Sequence, residues 1–165
     1  MLDVKERKRN KVLNKAIKSK IARGVKFMFQ LVYISKAKKR HTELELAKMM
    51  SKFRQRNVAN GITGLLLYDG KGTFIQLLEG KKEEVRALFE VISKDPRHER
   101  INKLHEQAVP ERVFSHWKMG FRCFDSSKLC NEEGFSEFLS QEDNYAFLQS
   151  HPDFSVQLLC YFKTC

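Results

Sequence analysis

Residues 62–79 read ITGLLLYDGKGTFIQLLE, and this stretch decides the fold class. It contains two apolar runs, Ile62 to Asp69 and Thr73 to Glu79, on either side of an Asp-Gly step that is followed by a second glycine, Gly72. Asp-Gly steps adopt the tight turns that connect antiparallel strands. The stretch therefore predicts a β-hairpin that supplies the second and third strands of a sheet.

Residues before the hairpin predict a strand followed by a helix. Phe27 to Ser35 (FMFQLVYIS) is an apolar run rich in aromatic and β-branched residues, as in buried strands. Thr42 precedes Glu45 by three positions, the spacing of a capping box that begins a helix. Apolar residues then recur on one helical face as far as about Asn57.

Residues after the hairpin predict a second helix and two more strands. One helical face carries Val85, Leu88, Phe89 and Ile92, and Asp95-Pro96 ends the helix. A fourth strand is predicted for Ile101 to Val109. His116 to Cys123 alternates as a fifth strand, and one of its faces consists of Trp117, Met119, Phe121 and Cys123.

The order of the predicted elements is β-α-β-β-α-β followed by one further strand. This is a ferredoxin-like α+β fold, with both helices on one face of the sheet. Apolar residues after the fifth strand fall in short helical segments, which we expect to pack on the other face because they are too short to fold alone. We divide the chain into a basic N-terminal extension (1–26), a central domain (27–124) and a C-terminal helical appendage (125–165).

The net charge of +11 is unevenly distributed along the 165 residues. Residues 1–26 contain ten basic and two acidic side chains, whereas residues 124–165 contain two basic and seven acidic ones. The extension predicts either a weakly amphipathic basic helix or a solvated leader; alternatively, the native chain begins at Met28. A basic helix there would contact nucleic acid or an anionic membrane, which we do not expect to be the main function.

Other features argue against export, membrane insertion and metal binding. No apolar run approaches the roughly 20 residues that span a bilayer, and the N-terminus is charged. The cysteines form no C-x-x-C pair and no zinc-ligand spacing with histidine; they are Cys123, Cys130, Cys160 and Cys165. We therefore expect a cytoplasmic protein with reduced thiols and no metal.

Tyr33 and Gln76 are the candidate functional pair. Strand alternation puts Tyr33 on the face of Leu31, and Gln76 on the face of Phe74 and Leu78. A buried glutamine needs partners, because an unpaired buried polar group costs about 1–3 kcal/mol. The first and third strands are central neighbours in this fold, so a hydrogen bond can join the two side chains. The alternative is a tyrosine bonded to a backbone carbonyl and a glutamine in a separate polar network.

Five strings in order resemble the BLUF family of flavin-based blue-light sensors. They are LVYIS, RNVANGITGLLLY, GTFIQLLEG, VRALFEVISKDPRH and FSHWKMGF, and they cover roughly residues 28–124. The resemblance is to the short, single-domain members of the family. It implies a non-covalent flavin between the two helices, FAD or alternatively FMN.

The resemblance also implies roles for individual residues. Tyr33 matches the photochemical tyrosine, Gln76 the switching glutamine and Asn57 an asparagine that hydrogen-bonds the flavin ring. Side chains expected at the polar edge or the ribityl chain are Arg56, Asp95, Arg97 and His98; those expected to pack on the ring are Ile34 and Phe74. Trp117 and Met119 match a pair expected to exchange places near the glutamine and relay the signal. Val91 departs from the pattern, since some relatives have an arginine there.

In such a sensor, light drives electron and proton transfer from Tyr33, and Gln76 rotates or tautomerises. The flavin hydrogen bonds then change and the absorption shifts to the red. We expect the fifth strand and the C-terminal helices to pass this change to an unidentified partner protein in a light-dependent way, and we expect a homo-oligomer. No nucleophile–base pair, paired carboxylates or phosphate loop indicates an enzyme.

The alternative function is a non-photoactive module that binds protein or nucleic acid on the same fold. RNA-binding RRM domains share this element order, but their aromatic signature string is absent and the third strand reads FIQLLEG. A colourless protein that stays unresponsive after FAD is supplied would favour this alternative.

Overall fold

The computed structural model describes residues 27–124 and 144–164. Five strands and four helices lie in this part of the chain: β1 (Met28–Ala37), α1 (Glu43–Ala59), β2 (Thr63–Tyr68), β3 (Thr73–Gly80), α2 (Lys82–Ser93), β4 (His98–Val109), β5 (Lys118–Cys123), α3 (Asn144–Ser150) and α4 (Pro152–Thr164). Outside the described residues lie the extension 1–26, the segment 125–143, which contains Cys130, and Cys165. No described helix is long and apolar enough to cross a membrane.

The five strands form one sheet in the order β4-β1-β3-β2-β5. The central pair, β1 and β3, is antiparallel, and β2 and β3 form the predicted hairpin. β5 runs parallel to β2 at the edge. The predicted ferredoxin-like order with an additional strand is therefore confirmed.

Each face of the sheet has its own apolar core. On one face, residues of α1 and α2 pack with alternate residues of the strands, including Leu31, Tyr33 and Leu78. On the opposite face, Val32 and Ile75 pack with residues of α3 and α4. The predicted division of the helices between the two faces is confirmed, and it follows from the two-residue period of the strands.

The predicted start of α1 and the predicted hairpin turn are both present. Thr42 accepts a hydrogen bond from the Glu45 N–H, and the Glu45 carboxylate accepts one from the Thr42 N–H, which completes the capping box. In the hairpin, Asp69 Oδ1 accepts from the backbone N–H groups of Lys71 (2.8 Å) and Thr73 (2.7 Å). These bonds fix the turn and with it the β2–β3 register.

β5 departs from the predicted alternation. Gly64 is paired with Lys118 and Leu65 with Gly120, so Met119 is an extra residue in the ladder, and its φ of 110° is unusual for a side-chain-bearing residue. Met119 packs in the core under α1 and α2, whereas Trp117 packs on the opposite face, with α3 and α4. The prediction that both point the same way is wrong, because the bulge resets the alternation.

Candidate functional site

A cavity of about 170 Å³ lies between α1 and α2, over the central strands. Its walls carry apolar side chains from both helices and from β2: Phe53, Leu66, Leu88, Val91 and Ile92. Its polar side chains come from five different segments: Tyr33, Arg56, Asn57, Gln76, Asp95, Arg97 and His98. An apolar slot with a few converging polar groups is typical of a small-molecule site.

Tyr33 and Gln76 form a hydrogen bond at the floor of this cavity. The two residues are opposite each other in the β1–β3 register, and only 2% of Tyr33 and 7% of Gln76 is exposed. The Tyr33 hydroxyl donates to Gln76 Oε1, and Gln76 Nε2 donates to Met119 Sδ at 3.0 Å. The predicted contact is confirmed, and Tyr33 bonds the glutamine side chain rather than a backbone carbonyl.

The Tyr33 hydroxyl retains its proton over the ordinary pH range. Burial raises the pKa of this phenol far above its usual value, and the negative charge of Asp95 raises it further. The phenol therefore acts as a hydrogen-bond donor to Gln76 Oε1. Phe89 of α2 packs against its ring, with the ring centroids 5.4 Å apart.

Asn57 brings an amide to the cavity from the last turns of α1. The residue is 3% exposed, and its side chain makes no hydrogen bond to any other residue that the structure describes. Because the side chain lines the cavity, its amide is available to hydrogen-bond a ligand or water there. Arg56, its exposed neighbour, also lines the cavity.

Asp95, Arg97 and His98 form the polar end of the cavity. Arg97 Nε donates to both oxygens of Asp95 at 2.9 and 3.1 Å, and these bonds lower the pKa of Asp95 to about 2. Burial lowers the pKa of His98, so its imidazole is neutral near neutral pH. His98 Nδ1 lies 3.0 Å from Ser35 Oγ, which fixes the orientation of the ring.

Two residues predicted to pack on a flavin ring, Ile34 and Phe74, do not line the larger cavity. Ile34 is on the opposite face of the sheet, in the core shared with α3 and α4, because it follows Tyr33 directly and strand neighbours alternate. That prediction is wrong. Phe74 lines a smaller cavity of about 30 Å³ that shares Arg97 and His98 with the larger one.

Of the two residues predicted to relay the signal, Trp117 and Met119, one lies beside the site and the other does not. Met119 contacts Gln76 through its sulfur, whereas Trp117 lies on the other face. Val91, the departure from the family pattern, lines the cavity and is 48% exposed.

Several site residues escaped sequence reasoning. Phe53, Leu66 and Leu88 line the cavity but appear in the sequence as ordinary core positions of periodic elements. Ser35 bonds His98 across 63 positions of the chain, and no local pattern marks that contact. Strand alternation puts Ser35 on the same face as Tyr33, and this pattern could have identified Ser35 as a residue of the site.

The residues present fit a flavin. A flavin ring is planar, with an apolar body and a polar edge, and the cavity offers a narrow apolar slot between two helices. The Asn57 amide and the Gln76 amide, which both line the cavity, supply donors and an acceptor for a ring edge. Arg56, Arg97 and His98 supply hydrogen-bonding groups for a hydroxylated or phosphorylated tail.

Comparisons with known proteins match the part of the chain that contains this cavity. The sequence profile of BLUF, described as sensors of blue-light using FAD, matches residues 28–120. Photoactivated adenylate cyclase subunit beta of Euglena gracilis is 37% identical over 99 residues, which is 59% of this chain and 11% of the relative. The blue light- and temperature-regulated antirepressor BluF of Escherichia coli (strain K12) is 36% identical over 95 residues, 58% of this chain and 23% of the relative.

Among solved structures, the ground state of BlsA superposes with a TM-score of 0.65 at 30% identity, covering 81% of this chain and 87% of that one. The chain spans only about a tenth to a quarter of the two curated relatives, so their other activities are not transferred by these matches. The residues that the profile matches form β1 to β4, the start of β5 and the helices α1 and α2. This chain belongs to the BLUF family, the sensors of blue light using FAD.

Proposed function

We propose that the domain is a blue-light receptor in which Tyr33 and Gln76 act as the photochemical pair. The observation that carries the proposal is the hydrogen bond from the Tyr33 hydroxyl to Gln76 Oε1, buried at the floor of a cavity suited to a flavin. Asn57, Arg56, Asp95, Arg97 and His98 would hold the flavin non-covalently. Phe74 would contact it from the adjoining cavity.

The chemistry begins at the Tyr33 hydroxyl. When bound, a flavin supplies an electron acceptor that blue light makes strongly oxidising. Loss of an electron makes a phenol strongly acidic, and the Tyr33 proton already points at Gln76 Oε1. Both side chains are buried, so with a flavin in the cavity in place of water the proton would move to the amide rather than to solvent.

Gln76 then exchanges one arrangement of hydrogen bonds for another. In the present arrangement, Oε1 accepts from Tyr33 and Nε2 donates to Met119 Sδ. Rotation or tautomerisation of the amide interchanges donor and acceptor positions and removes the Nε2–Sδ bond. An electron and a proton would then return to Tyr33, so apart from any proton shifted within the amide the bonds of the protein are as before, and the output is a change in the conformational preference of β5.

The signal would leave through β5 and the C-terminal helices. Met119 faces Gln76, whereas Trp117, two residues earlier, packs on the core under α3 and α4. We infer that a partner protein reads this change in a light-dependent way and that the chain self-associates. One relative is named a cyclase subunit and the other an antirepressor, so the output differs between members of the family.

The experiment is an absorption spectrum of the purified chain before and after blue light. A yellow protein with a reversible red shift is expected, and chromatography of the released flavin identifies FAD or FMN. Tyr33→Phe and Gln76→Leu should bind flavin yet lose the normal shift. Tyr145→Phe, which alters a buried tyrosine on the other face, should keep it. A normal shift in Gln76→Leu would contradict the mechanism, and a colourless chain that ignores added FAD would favour a non-photoactive binding module.

A further inference from the structure

Glu79 is a fully buried carboxylate on the face of β3 opposite Gln76. It accepts three hydrogen bonds: from the backbone N–H of Val113 (2.8 Å), the backbone N–H of Phe114 (2.9 Å) and Gln30 Nε2 (3.0 Å). Three donors around one carboxyl group require acceptors on both oxygens. A carboxylate meets this requirement, whereas an amide would turn its own NH2 group toward a donor.

Arg112 adds hydrogen bonds from its own side chain to the residues around the start of β2 and the end of β3. Its guanidinium donates to the Glu79 carbonyl and to Thr63 Oγ1, both at 2.7 Å, and to the Gly61 carbonyl at 2.6 Å. Residues 112–114, which precede β5, are thus joined to β2 and β3 by both a carboxylate and a guanidinium. We call this set of bonds the 112–114 clamp.

Shortly after the 112–114 clamp comes Trp117, the only tryptophan in the sequence, whose indole is closely packed. The backbone N–H of Trp117 donates to the backbone carbonyl of Phe114 at 3.0 Å. The rings of the two residues lie edge to face, with their centroids 5.8 Å apart. A Cβ on Gly120 would lie 1.9 Å from Trp117 Cε3, so the indole occupies the space above a missing side chain. Phe114, Gly120 and Leu65 form what we call the tryptophan seat.

We infer that Glu79 is a positioning residue that holds residues 112–114 and thereby keeps Trp117 in the tryptophan seat, away from Gln76. The indole shares its core with Leu148 of α3 and with Leu158 and Leu159 of α4. Departure of Trp117 from the seat therefore opens the core beneath the C-terminal helices. The signalling consequence rests on the proposed function; the positional role of Glu79 does not.

The test uses Trp117 emission from the full chain in the dark. Glu79→Gln should shift the emission to longer wavelength and raise the acrylamide quenching constant, and Gly120→Ala should do the same by direct contact with the ring. Arg112→Met, on the less buried side of the clamp, is the second variant should Glu79→Gln not fold. Glu99→Gln, an exposed glutamate on β4, is the matched control and should change neither quantity. Far-UV circular dichroism verifies folding.

The outcomes separate the clamp from the photochemistry. Folded Glu79→Gln and Arg112→Met proteins with wild-type emission would overturn the inference, and so would a Gly120→Ala protein with unchanged emission. In the flavin-loaded chain, Glu79→Gln should keep the red shift and lose the light-induced change in Trp117 emission. A wild-type chain without any red shift would refute the proposed function and leave the dark emission result standing.

Discussion

The Tyr33–Gln76 hydrogen bond should appear as a coupling energy in the stability of the domain. Tyr33→Phe leaves Gln76 Oε1 without its donor, and Gln76→Leu leaves a 2% exposed hydroxyl without its acceptor. An unpaired buried polar group costs about 1–3 kcal/mol. Because Gln76 lines a cavity that water can enter, we expect about 1 kcal/mol for Tyr33→Phe and about 2 kcal/mol for Gln76→Leu, which also loses the bond to Met119.

The double variant removes both partners and leaves neither group unpaired. It should therefore cost less than the sum of the single variants, by about 1 kcal/mol or more. The assay is urea unfolding of the full chain in darkness and without bound flavin, so that ligand binding contributes nothing to the four free energies. Equal urea dependence across the four proteins checks that the denatured states are comparable.

Additive free energies would refute this reasoning. They would mean that the two groups do not stabilise each other, and Tyr33 would then have no preferred path for its proton. A larger cost in the double variant than in the sum would point instead to collapse of the cavity floor. Neither result is compatible with a hydrogen bond that pairs two otherwise unsatisfied groups.

Three further changes have distinct expected results. Asn57→Leu should leave the urea stability of the flavin-free chain unchanged or raised, because the amide lines the cavity and bonds no other described side chain, while flavin affinity measured by titration falls about tenfold. Gly64→Ala should lower the free energy of unfolding by about 3 kcal/mol or more, since its Cβ would overlap a backbone carbonyl at 1.9 Å, whereas Gly70→Ala, with open space around it, should cost about 1 kcal/mol. The Asp95 carboxyl has a lowered pKa in the folded state, so its contribution is present above about pH 4 and disappears as the pH falls to about 2. The stability difference between wild type and Asp95→Asn, below about 1 kcal/mol because the pair is partly exposed, should shrink over that pH range in acid unfolding curves.

The sequence carries most of the fold and the centre of the site because both follow from local periods. The Asp-Gly turn fixes the β2–β3 register, and the two-residue alternation then puts Gln76 on the face of Phe74 and Leu78. The same alternation puts Tyr33 on that face of β1. Since β1 and β3 are central neighbours, the contact between Tyr33 and Gln76 follows without any knowledge of the flavin.

The errors arise where a tertiary contact overrides a local period. Nothing in the string HWKMGF marks Met119 as a bulge, because the contacts of the bulge come from other elements. Arg54 Nε of α1 donates to the Met119 carbonyl at 3.0 Å, and parallel pairing with β2 resumes at Gly120. Ile34 is the opposite case, because it follows Tyr33 directly and the two-residue period itself puts it on the other face, where it packs. Contacts between distant segments, such as Ser35 with His98, have no local signature at all.

Under the proposed function, the bulge at Met119 would give a small photochemical change a route across the sheet. A side-chain-bearing residue with positive φ is strained by about 1–2 kcal/mol, and here two hydrogen bonds oppose that strain, from Gln76 to the sulfur and from Arg54 to the carbonyl. Loss of the bond from Gln76 to the Met119 sulfur by amide rotation removes about 1 kcal/mol of the stabilisation of this Met119 conformation. A change of that size alters a conformational equilibrium about fivefold. Relaxation of Met119 to an ordinary strand conformation would remove the extra residue from the ladder and require Trp117 to change face. Under the proposed function, rotation of one amide in the cavity would therefore disturb the core that α3 and α4 share with Trp117.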